Sequence, residues 1–89
     1  MSTFQRGLID MPKKTRYLRE RNEITQKDLA KLIKISQNQI SEIENGGRPF
    51  TLKTIMSYTD YFGINIDEFL FDDFETFKNN EEKLMGVME

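Results

Sequence analysis

Apolar residues recur along this chain at three- and four-residue intervals, and nowhere do apolar and polar residues alternate for more than a few positions. That period belongs to helices and not to strands. Leu29, Ala30 and Ile33 form one apolar stripe, and Ile40 and Ile43 a second. Leu52, Ile55, Met56, Thr59 and Phe62 form a third, and Ile66, Phe69 and Leu70 a fourth. The breaks between stripes carry helix-end residues. Pro12 suits a first helical turn and predicts a helix from there to about Asn22, with Leu18 inward and Thr15 and Tyr17 beside it. Thr25 is placed to cap the next helix, with Asp28 three residues on. Ser36 caps a third, with Gln39 at the reciprocal position, and Gly46 can stop it in left-handed backbone. Gly47-Arg48-Pro49 reads as a loop, Thr51 opens a fourth helix that Gly63 ends, and Asn65 with Glu68 opens a fifth. The expected architecture is all-α, a bundle of five helices over residues 12–70. Before it lies an N-terminal arm or short helix over residues 1–11, with Phe4, Leu8 and Ile9 as apolar contacts. After it lies an acidic, Phe-rich C-terminal extension over residues 71–89, in which Phe71, Phe74 and Phe77 recur every three residues.

The helix opened by Ser36 carries an unusual outer face. At about 100° per residue, with Gln37 set at zero, Ser41 falls near 40°, Asn45 near 80°, Asn38 near 100° and Glu42 near 140°. Ile43 and Ile40 fall on the opposite side, near 240° and 300° in the same frame of about 3.6 residues per turn. A surface helix usually carries Lys and Glu where this one carries amides and a hydroxyl. Amide side chains bond base edges bidentately, best at adenine N6 and N7, and carry no charge to repel phosphate. Gln39 faces away from this set and is better suited to capping. Glu42 admits three readings: an acceptor for cytosine N4, a gate that penalises wrong bases, or plain surface.

Composition narrows the field. With 89 residues there is room for one domain. The chain has neither Cys nor His, so disulfides, thiolate metal sites and the commonest catalytic bases are all missing. Asp67, Glu68, Asp72 and Asp73 cluster without the glycine-punctuated loop that calcium needs. No enzyme, cofactor or metal is expected. No apolar run approaches the roughly 20 residues of a membrane span, and the N-terminus lacks a signal-peptide pattern, so a cytoplasmic protein is expected. The net charge of −2 hides an asymmetry. Residues 1–48 hold ten basic and six acidic side chains, a net of +4, whereas residues 49–89 hold three and nine, a net of −6. The basic half contains the polar helix face, and local field is what matters to a polyanion.

The segment TQKDLAKLIKISQNQISEIENG, residues 25–46, resembles the helix-turn-helix of the phage Cro and repressor family, the XRE-like regulators. The resemblance extends from LRE at 18–20 to TLKTIMSYTDYFGINIDEFL at 51–70. It implies a lambda-repressor-like domain that binds a double-stranded DNA operator as a homodimer. It also implies that Gln37, Asn38 and Glu42 face the bases, which Ser41 joins as a candidate from the same outward face, while Gln26, Asn45, Gly47 and Arg48 hold phosphates. Arg19 and Glu44 match a structural salt bridge between two helices. The chain departs from the family pattern at several positions. Thr15 stands where an aliphatic residue is usual, Lys34 where the turn usually has Gly, and Tyr58 and Tyr61 where smaller residues are usual, while residues 71–89 match nothing.

Lys13, Lys14 and Arg16 read as solvated, with a phosphate role as the alternative. Phe69, Phe71, Phe74 and Phe77 exceed what one small core easily buries, which makes them candidates for a subunit contact; cover of their own core is the competing reading. The expected function is a sequence-specific transcriptional regulator, a repressor acting on a palindromic operator. The alternative is a protein-interaction module or antitoxin on the same scaffold, with the acidic C-terminal segment as the surface for a protein partner.

Overall fold

A computed structural model describes residues 3–47 and 49–88, with side chains from 5 to 83. Arg48 and the side chain of Phe4 therefore lie outside the described residues. Among the described residues the chain is all-helical, without strands: α1 (Thr3–Ile9), α2 (Met11–Arg21), α3 (Gln26–Ile33), α4 (Gln37–Glu44), α5 (Leu52–Phe62), α6 (Ile66–Phe71) and α7 (Phe74–Met88). The apolar pattern predicts five of these, α2 to α6, within a residue or two. The two others come from the segments expected to be an arm or short helix and an extension.

The helix ends are closed by the residues whose chemistry suits them. Thr25 accepts a hydrogen bond from the Asp28 amide at 3.1 Å, Thr51 from Thr54 at 3.2 Å, and Asn65 from Asp67 at 2.8 Å. Ser36 and Gln39 form a full capping box. Gly46 and Gly63 take positive φ, at 77° and 64°. Lys34 does the same at φ 60°, so the α3–α4 turn keeps the left-handed geometry without a glycine, at a cost of roughly 1 kcal/mol.

The core gathers Met11 and Leu18 of α2, Leu29 of α3, Ile40 and Ile43 of α4, Tyr58 of α5, Phe69 of α6 and Phe77 of α7, each at most 1% exposed. Tyr58 stacks on Phe69 with ring centroids 6.2 Å apart, and Phe69 meets Phe77 at 6.1 Å. Four expectations change here. Phe69 and Phe77 have no surface to offer a second subunit, because the aromatic stack at the centre of the chain consumes them. Phe71 is 39% exposed, and Phe74 is half-buried with its ring edge-on to Tyr17 at 5.8 Å. On α5 the buried positions are Thr54, Ile55, Tyr58 and Thr59, which turns Leu52 and Met56 outward. Ile66 is also exposed. Lys14 is fully buried rather than solvated, its Nζ donating to the Phe69 carbonyl at 2.7 Å.

The two added helices are bound to the rest by specific contacts. α1 lies against α6 so closely that a Cβ on Gly7 would sit 2.0 Å from the Leu70 carbonyl oxygen. α7 docks on α2 through Tyr17, Phe74 and Phe77, and through Arg21 and Glu81, which pair at 3.1 Å. The Asp10 carboxylate accepts from the Phe74 amide at 2.8 Å and so ties the start of α2 to the start of α7.

Candidate nucleic-acid interface

Hydrophobic burial fixes the orientation of α4. With Ile40 and Ile43 in the core and Glu44 only 5% exposed, the opposite side is forced outward. Gln37, Asn38 and Glu42 are exposed and Ser41 is half-buried. These four sequence-derived candidates therefore share one face, with Asn45 exposed at its C-terminal end. Gln39 is spent on the cap, its Oε1 accepting from the Ser36 amide at 3.1 Å.

Glu44 anchors the helix that carries this face. Its carboxylate accepts two bonds from Arg19 of α2, from Nε at 2.7 Å and Nη2 at 2.9 Å. The Glu44 side chain has no exposed surface and that of Arg19 keeps 14%. The bonds to Glu44 hold the guanidinium above its ordinary pKa, more than offsetting its desolvation. Arg19 also donates to the Ile24 carbonyl at 2.9 Å, so one guanidinium fixes both the α2–α3 connection and α4. A bidentate pair of this kind holds geometry as well as charge.

The residues assigned to phosphates by resemblance divide. Gln26, the first residue of α3, is half-buried and donates to Glu44 Oε1 at 3.3 Å, so its amide is held at the α2–α3–α4 junction. Asn45 stands at the same junction, where its Oδ1 accepts from Arg16 Nη2 at 3.5 Å. Gly47 is exposed, but its N–H is committed to the Glu42 carbonyl at 2.8 Å and is not available to a phosphate oxygen. Arg48 lies outside the described residues. The sequence reading missed Arg16 as a member of this junction. Its spacing of three from Arg19 places the two guanidiniums on one side of α2, and that spacing was the available signal.

Among the described residues no group of carboxylates could hold a metal, and no helix is long and apolar enough to cross a membrane.

A helix-turn-helix family matches residues 16–69, from Arg16 in α2 to Phe69 in α6. An uncharacterized HTH-type transcriptional regulator of Methanocaldococcus jannaschii is 35% identical over 66 residues, which is 73% of this chain and the whole of that protein. No solved structure matches the chain.

Proposed function

Since the chain belongs to the XRE-like helix-turn-helix family of DNA-binding transcriptional regulators, we propose that it is a cytoplasmic repressor that binds a palindromic operator as a homodimer. Gln37 and Asn38 read base edges from the N-terminal turn of α4, and Ser41 and Glu42 follow one turn later in the major groove. Gln26 and Asn45 hold the flanking phosphates. A second subunit places a second α4 one DNA turn away, about 34 Å, and the dimer excludes other proteins from the site. Repression by occlusion then needs no cofactor.

The observation that supports this reading most is the outward set Gln37, Asn38, Ser41 and Glu42 on a helix whose other side is locked by Ile40, Ile43 and Glu44. Phe69 and Phe77 drop out as subunit contacts. Exposed apolar positions such as Leu52 and Met56 are better placed to supply them, being 67% and 47% exposed. Selection of bound sequences from a random DNA pool tests the reading. A two-fold symmetric consensus with half-sites about 10 base pairs apart is the expected result. Enrichment of one unpaired half-site would contradict the dimer, and no enrichment would contradict sequence-specific readout.

A further inference from the structure

We propose that Arg16 is the charged member of a DNA-phosphate site at the junction of α2, α3 and α4, completing a set with Gln26 and Asn45. The proposal rests on the DNA-binding reading and assigns to α2 a backbone contact of its own.

Glu44 is the point on which the junction converges. Its Oε1 receives Arg19 Nη2 at 2.9 Å, Gln26 Nε2 at 3.3 Å and Arg16 Nε at 3.5 Å. The shortest bond, from Arg19 Nε to Oε2 at 2.7 Å, already pairs the carboxylate with a shielded cation. Arg16 is therefore a surplus partner. Its side chain is 48% exposed, and both of its contacts, to Glu44 and to Asn45 Oδ1, are 3.5 Å long. Contacts so long and so solvated are cheaply exchanged.

The local charge count points the same way. Lys13, Arg16 and Arg19 give three positive charges, against Glu20 and Glu44, a net of +1. Glu20 engages Arg19 at 3.8 Å and not Arg16. An open cleft of about 250 Å³ lies beside Arg16, bounded by Tyr17, Glu20 and Phe74, and gives the guanidinium room to turn.

A phosphodiester is the anion this arrangement suits. Guanidinium offers paired N–H groups in the plane that two phosphate oxygens require. While Asn45 Oδ1 accepts from Arg16, the NH2 end of that amide remains a donor, and the Gln26 amide stands at the start of α3. Three donors from three helices thus meet at the edge of the α4 readout face. In the free protein Arg16 is parked against Glu44 and Asn45. On the duplex it exchanges those long contacts for phosphate oxygens.

The test is salt-dependent binding of the full chain to a random-sequence duplex two helical turns long, comparing wild type with Arg16→Gln. The log–log salt slope should fall by about 0.9 per subunit, one phosphate contact each and so about 1.8 for a bound dimer, with the thermal midpoint unchanged. An unchanged slope overturns the proposal. If Arg16→Gln lowers the midpoint instead, the Arg16 Nε–H resonance of the wild-type protein decides. A shift on titration with the same duplex supports the phosphate contact, and an unmoved resonance at saturation overturns it. Wild-type protein that binds no duplex at any salt concentration would remove the DNA-binding reading itself, a result distinct from a normal slope that Arg16→Gln leaves unaltered.

Discussion

Lys14 shows how far a single residue can escape a sequence pattern. Charged and flanked by Lys13 and Arg16, it looks solvated, yet it lies within the packing of α2 against α6 and α7, its ammonium 5.9 Å from the centre of the Phe77 ring. Burial lowers its pKa to about 8, against an opposing pull from Asp10, Asp72 and Asp73. In the unfolded chain it holds its proton to the ordinary value of 10.5. Below about pH 8 both states are protonated and the folded state bears the cost of burying the charge. Between about 8 and 10.5 the unfolded chain binds more protons, so the contribution of Lys14 to stability improves as pH rises. The unfolding free energy of wild type should gain on that of Lys14→Met by up to about 3 kcal/mol across this window, at about 1.4 kcal/mol per unit. Denaturant titrations at several pH values measure the difference. A difference that stays flat from neutral pH upward would mean that the ammonium is solvated.

At the scale of elements, the helices whose ends carry recognisable cap chemistry were legible: Thr25, Ser36, Thr51 and Asn65 each open a helix in the chain. So was the outer face of α4, because its two isoleucines fix the phase. The α5 stripe was legible only in part. Tyr58 takes the central position there, which a polar-headed residue does not advertise, and its buried hydroxyl has no hydrogen-bond partner among the described residues. α1 and α7 were not legible as packed helices, since their partners lie far away in sequence. Phe77 meets Phe69 and Tyr17, and Gly7 meets Leu70.

Gly7 is the sharpest test at this scale. Its missing Cβ is what lets α1 close on the α6 backbone, because a Cβ 2.0 Å from the Leu70 carbonyl oxygen would require rigid backbone, not a flexible side chain, to move away. Gly7→Ala should force α1 away from α6 and destabilise the fold by about 1–3 kcal/mol. Amide exchange should rise in α1 while α3 and α4 keep their protection. Unchanged stability with α1 still protected would show that the close approach is not required.

For the whole molecule, the charge asymmetry and the helix arrangement fit one use. The basic half, with a net of +4, carries α2 to α4 and the Glu44 junction, and the acidic half carries α7, which packs on α2. Under the proposed function, specificity and affinity would come from different residues: the α4 face would supply discrimination between sequences, and the junction around Glu44 would supply contacts that every sequence offers. The most direct measurement of this division is the affinity of Gln37→Ala for a selected operator and for a random duplex at the same salt concentration. The exposed Gln37 amide should cost the operator complex about 1–3 kcal/mol when removed, roughly five- to 150-fold, and leave the random complex nearly unchanged. Equal losses on both duplexes would place Gln37 on the backbone and contradict the claim that the outer face of α4 reads sequence.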